Sequence, residues 1–371
     1  MASRYSPDHS ADMGRESPVR WRHGTHRLPG VISRPVPVSD PVQRPVPVSG
    51  PVQRPVPVSG PVQRPVPVSD PHHRPAPITH GPDDVALVFE SGGMRGAYTA
   101  GLVRVMLEAG LSFPWVGGIS AGCTNTCNFV SRDTWRTREA YLGLTTDPQA
   151  GGWGSFVTGK GYFNSEHIYL HTSAPDESIP FDWETFAASP TTVRLGAFRC
   201  DTGEEVYWGL EDMPTMADLL VRARASSSMP VLMPMVEVDG APYVDGAVGP
   251  TGGFAIDAAR VDGYDKLLVV MTRPEGYRKP PMRRHEIEIL QRLYPRYPAL
   301  VQAVIDRPGN YNRTVEELER LRSQGRAYLF RPERMPIANG ELRYDRIVTA
   351  FEAGLAQARR ELPAIESFLA S

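Results

Sequence analysis

The sequence predicts an α/β protein with a mostly parallel central sheet, and three observations predict it. Val85–Phe89 and the stretches 113–119 and 267–271 are short apolar runs of the kind a strand buried on both faces shows. Between the first two, Leu102, Val105, Met106 and Ala109 recur at helical spacing, and Gly110 stands where a helix C-terminus is capped. A second helix is expected from Ala121 toward Val130, directly after the second apolar run. Strand, helix, strand, helix in that order calls for parallel strands with right-handed crossovers, and sites in such sheets gather at the carboxyl ends of the strands.

The 371-residue chain changes character near residue 82. From Arg34 it repeats RPVPVSDPVQ, RPVPVSGPVQ, RPVPVSGPVQ and RPVPVSDPHH, then decays. Proline at this density removes backbone donors and fixes φ, so residues 1–82 are expected to be a disordered proline-rich arm and residues 83–371 one domain. The arm reads as a semi-rigid spacer. Its sharper reading is a multivalent ligand for a proline-binding domain, oriented by Arg34, Arg44, Arg54, Arg64 and Arg74.

Residues 1–82 hold 10 of the 40 basic and 5 of the 42 acidic side chains, which leaves the arm at +5 and the remainder at −7. Neither balance, nor any interleaving of cations with aromatics, calls for nucleic acid. Three cysteines supply neither a disulfide framework nor a four-ligand zinc set, and Cys123 and Cys127 are expected to be small buried packing residues. No signal-like apolar stretch opens the chain, and no run approaches the ~20 apolar residues of a spanning helix, so a cytoplasmic protein is expected.

Later elements follow from the same rules. Residues 144–190 read as loops and short helices over the site, and 194–198 and 205–208 as strands joined by a turn. A short helix over 216–224 leads into Ala225-Ser226-Ser227-Ser228-Met229-Pro230. Strands at 235–238 and 241–244 flank Asp239-Gly240, a strong two-residue hairpin signal. Helices are expected to fill most of 282–323 and 346–369.

The chemistry-bearing pattern is Gly118-x-Ser120-x-Gly122, which fits a serine on a strained strand-to-helix turn between small residues. Upstream, the loop Gly92-Gly93-Met94-Arg95-Gly96 also joins a strand to a helix, so its amides can converge on a developing oxyanion. A dinucleotide fingerprint would need a first glycine where Ser91 stands and an acid where Ser120 stands. For a base, Asp239 is explained by its turn, whereas Asp245 closes a strand and is followed by Gly246 and Ala247. His285 is the one histidine after Asp245 and offers a Ser-Asp-His alternative, though its charged neighbours place it at the surface. His167 and His171 lie one helical turn apart without a third ligand, so no metal or cofactor is expected.

Taken together, Gly92-Gly93-x-Arg95-Gly96, Gly118-x-Ser120-x-Gly122, the Ala225–Pro230 block and Asp245-Gly246-Ala247 resemble the patatin-like phospholipases over about residues 84–371. The resemblance implies a three-layer α/β/α fold and lipid acyl hydrolysis by a Ser-Asp dyad without histidine. It makes Ser120 the nucleophile, Asp245 the base, Gly92 to Gly96 the oxyanion hole and a lipid or other ester the substrate. Ser91 departs from the family by replacing the first loop glycine. Residues 277–298 mix basic and apolar side chains. A basic helix packed by its apolar face is the plainer reading, and peripheral contact with an anionic membrane is the other. Two rivals stay open: a His285-dependent esterase of another class, and a silent scaffold that recruits partners through the arm.

Overall fold

The computed structural model describes residue 78 and residues 81–371. The expected arm lies outside the described residues apart from Ile78, Gly81 and Pro82. From the amino-terminal side come β1 (Val85–Phe89), α1 (Gly96–Glu108), β2 (Trp115–Ile119), α2 (Ala121–Val130) and α3 (Thr134–Thr146). Three short helices, α4 (Trp153–Val157), α5 (Ser165–Leu170) and α6 (Trp183–Ala187), lead to β3 (Thr192–Arg199) and β4 (Glu205–Trp208). Next are α7 (Met216–Ser227), the hairpin of β5 (Val236–Val238) and β6 (Ala241–Asp245), α8 (Ile256–Val261) and β7 (Lys266–Val270). The chain continues through α9 (Arg284–Leu293), α10 (Pro298–Ser323), β8 (Ala327–Phe330) and α11 (Tyr344–Leu369).

These strands form one sheet in the order β5-β6-β3-β2-β1-β7-β8, with β4 on the other edge of β3. Strands β3, β2, β1, β7 and β8 run parallel, while β4, β5 and β6 are antiparallel additions. All five residues of β1 are buried, and they alternate between two cores, as a strand covered on both faces must. Val85, Leu87 and Phe89 pack with Leu102 and Met106 of α1 and Phe351 of α11. Ala86 and Val88 pack with Ile256 of α8 and Tyr311 and Val315 of α10. The three-layer architecture follows.

Local sequence sets the helix starts. The Asp133 carboxylate accepts the Arg136 N–H at 2.8 Å to open α3, and Thr215 and Asp218 form a reciprocal capping box at α7. Helices α1 and α11 meet almost backbone to backbone, because a Cβ at Gly354 would run into the Tyr98 carbonyl and one at Gly101 into the Leu355 amide. A buried hydrogen bond from the Tyr98 hydroxyl to Gln357 closes the same contact. Three elements went unanticipated, the short helix α8 among them. The four residues of β8 are too few to show a periodicity, and α3 hides its period because polar side chains, Thr134, Arg136 and Thr137, are among its buried residues.

Candidate active site

Strand β3 explains how distant sequence meets. Its Gly196 registers with Ile119, the last residue of β2, and the next residue, Ala197, registers with Asp245, the last of β6. Because β4 pairs with residues 195–198 on the opposite edge, β6 occupies the edge that β2 vacates. The turn carrying Ser120 is thereby set against the end of the strand carrying Asp245.

Ser120 has φ 60° and ψ −121°, a backbone conformation costly for a residue with a Cβ. The surroundings hold it there. The Ser120 N–H donates to Ser226 Oγ at 2.9 Å, and the Ser226 hydroxyl donates to the Gly196 carbonyl at 2.6 Å, bracing the turn against β3. A Cβ at Gly118 would strike the Gly122 carbonyl, and one at Gly122 the Phe89 carbonyl, so both glycines are required by close approach. Ser226 is a site residue whose role the sequence reading missed. Its place in the serine-rich block after α7 was visible, but its target was not.

Asp245 is 4% exposed. Its carboxylate accepts the Ala247 N–H at 2.8 Å, and its own N–H donates to the Ser228 carbonyl. Burial pushes the Asp245 carboxyl above the ordinary carboxylate value, opposed by the Ala247 N–H, the Arg307 cation, the Ser120 hydroxyl and the Lys279 cation. Arg307 also donates to the Ala247 carbonyl at 3.0 Å, fixing the turn that follows the carboxylate. His285 is exposed at the start of α9. His167 instead lies 2.6 Å from Asp147, and among the described residues no group of three or more His, Cys, Asp or Glu could hold a metal. Cys123 and Cys127 are buried.

The loop from Gly92 to Gly96 divides its amides. Met94 N–H donates to the Asn339 carbonyl at 2.9 Å, Arg95 N–H to Gly92 O at 3.3 Å, and Gly96 N–H to the carbonyls of Gly93 and Met94. Among the described residues no acceptor engages the N–H of Gly92 or Gly93, and Gly93 has φ +55°. The Arg95 guanidinium is buried, and burial together with repulsion from Arg273 lowers its pKa to about 10. At the departure from the family pattern, Ser91 packs its side chain where Gly253 has none; a Cβ on Gly253 would overlap Ser91 Oγ.

Ser120 opens on an apolar pocket walled by Met94, Leu144, Phe163, Ile179, Met229 and Met233. Residues 144–190 supply much of that wall through α5 and its flanking loops. The arrangement presents a hydroxyl, a buried carboxylate, two unengaged amides and an apolar slot together, which are the parts acyl transfer requires.

Comparison with known proteins gives family matches over two stretches of the chain. Residues 87–255 match the family model described as patatin-like phospholipase, and residues 297–370 match a domain of unknown function, DUF6363. The uncharacterized protein YjjU of Escherichia coli (strain K12) is 27% identical over 195 residues, covering 52% of this chain and 53% of that protein, about half its length. The crystal structure of VipD from Legionella pneumophila is matched with a TM-score of 0.40 and 10% identity, over 78% of this chain and 68% of that one. The family match runs from β1 through the turn after Asp245, so residues 87–255 carry a patatin-like phospholipase domain.

Proposed function

We propose that the chain is a serine acyl hydrolase that cleaves carboxylic ester bonds of lipids through a Ser120–Asp245 dyad. The observation that carries this reading is Ser120 on its strained turn at an apolar pocket, set by the β2–β3–β6 register beside the buried Asp245 carboxylate, whose charged form the Ser120 hydroxyl favours. Asp245 takes the proton as Ser120 Oγ attacks the ester carbonyl. The N–H groups of Gly92 and Gly93 stabilise the tetrahedral oxyanion, with Met94, Arg95 and Gly96 shaping the loop. Asp245 then delivers its proton to the departing alkoxide. A water, deprotonated by the same carboxylate, releases the acyl group from Ser120.

An aspartate of ordinary basicity is a poor base for an alcohol, and desolvation at Asp245 narrows that gap. The pocket favours an acyl chain over a polar group, since methionine, leucine, isoleucine and phenylalanine side chains outweigh the few polar ones in its wall, Arg136, Thr124 and Thr172 among them. Fluorophosphonate labelling tests the proposal. Wild type should form an adduct that Ser120→Ala abolishes, and an adduct that persists in the variant, or none in either protein, would overturn it.

A further inference from the structure

Three segments outside the dyad and its donor loop leave large apolar side chains in solvent. On α4, Trp153 is 73% and Val157 82% exposed. The loop 229–233 turns Val231 outward at 45%, and α9 does the same with Ile289 at 50% and Leu293 at 52%. The plainer expectation for α9, an apolar face packed on the body, is therefore met by Leu290 alone, the one residue of that helix that is buried.

Hydrogen bonds join the three segments into one surface. The Tyr162 N–H donates to the Leu232 carbonyl at 2.6 Å, and the Tyr162 ring meets Trp153 edge-on at 5.6 Å. The Val231 N–H donates to the hydroxyl of Tyr294, which caps α9, at 2.7 Å. Val231 holds φ 70°, an outlier for a β-branched residue, so the segment keeps this side chain outward at a conformational cost. The surface also runs into the acyl pocket, because Phe163, Met229 and Met233, immediate neighbours of these loops, form its wall.

Charge identifies what covers it. Residues 283–298 carry four exposed cations, Arg283, Arg284, Arg292 and Arg296, against Glu286 and Glu288, the Arg284 side chain is 95% exposed, and Lys160 follows α4 in solvent. An anionic bilayer satisfies both features, since its headgroups attract the cations and its acyl boundary receives the exposed tryptophan and aliphatic side chains.

We propose that this surface docks the protein on anionic phospholipid membranes, with Trp153, Val157, Ile289 and Leu293 entering the headgroup-acyl boundary and the pocket mouth facing the lipid. Its purpose rests on the acyl-hydrolase reading, but binding is measurable without hydrolysis. The full chain carrying Ser120→Ala should co-sediment with vesicles containing about a quarter phosphatidylglycerol and much less with pure phosphatidylcholine. Trp153→Ser with Val157→Ser, and separately Ile289→Ser with Leu293→Ser, should each weaken vesicle binding about tenfold. Arg284→Glu with Arg292→Glu should abolish the preference for anionic vesicles. The same substitutions on the Ser120 background should leave kcat/KM on a soluble short-chain ester unchanged, which also reports intact folding. Equal binding to both vesicles, or unchanged binding by all three paired variants, overturns the proposal. Vesicle binding without any ester hydrolysis would instead sink the acyl-hydrolase reading and leave the docking surface standing.

Discussion

Two Asp-Gly pairs six residues apart in one hairpin region have opposite fates. Asp239-Gly240 sits at the tip with φ +50° and +76°, its carboxylate 78% exposed and paired to Arg222 at 2.6 Å. Asp245-Gly246 ends the returning strand, with Asp245 at φ −48° and buried against the Ser120 turn. The dipeptide is the same, and the difference is what β3 brings beside it. A turn dipeptide becomes a chemical group when the neighbouring strand ends one residue short and leaves a serine in the gap.

Breaking each pair should separate the two roles. Asp245→Asn is expected to lower kcat on an ester by about 10³-fold or more, measured at saturating substrate. The matching Asp239→Asn should stay within about twofold of wild type. Gly246→Ala should come next. Its Cβ would lie 2.9 Å from the Gly196 carbonyl, so a loss of about 1–3 kcal/mol in chemical denaturation is expected together with reduced activity. Gly240→Ala meets nothing within 4 Å and is strained only by its φ of +76°, so about 1 kcal/mol without loss of kcat is expected.

The pH dependence sharpens the contrast. Because burial raises the Asp245 pKa, the acid limb of kcat/KM should lie above the ordinary carboxylate range, with activity falling as pH falls through it. Stability has the opposite sign. A raised folded-state pKa means that the protonated form is favoured by folding, so its stabilisation is complete below the unfolded pKa and is lost as pH rises through the folded value. Asp245→Asn should therefore melt no lower than wild type at pH 7, with its advantage shrinking as pH falls to about 4. An acid limb at the unperturbed aspartate value would remove the desolvation argument. The smallest effects belong to the surface: Asp239→Ala should cost at most about 1 kcal/mol, and His285→Ala should leave esterase activity within about twofold.

How much of this was legible depended on distance along the chain. Ser120 with its two glycines and the loop from Gly92 to Gly96 are local patterns set by strand-to-helix geometry, so the sequence displays them. The hairpin and the buried character of β1, β2 and β7 were legible for the same reason. The brace from Ser226, the packing of Ser91 against Gly253 and the Asn339 carbonyl on Met94 each join residues more than 100 apart, and no periodicity encodes such pairings. Exposure of Ile289 and Leu293 was hidden differently. An amphipathic helix advertises two faces, but not which of them the body covers.

The glycine contact between α1 and α11 bears on when the protein becomes competent during synthesis. The donor loop leads directly into α1, yet the partner of that helix is made long after it, and Asn339, which holds the Met94 amide, precedes that partner only slightly. We expect a nascent chain stalled before α11 to react with no fluorophosphonate, and one extended through Leu369 to do so. Such a delay would keep a nascent chain without a working donor loop until α11 has been made.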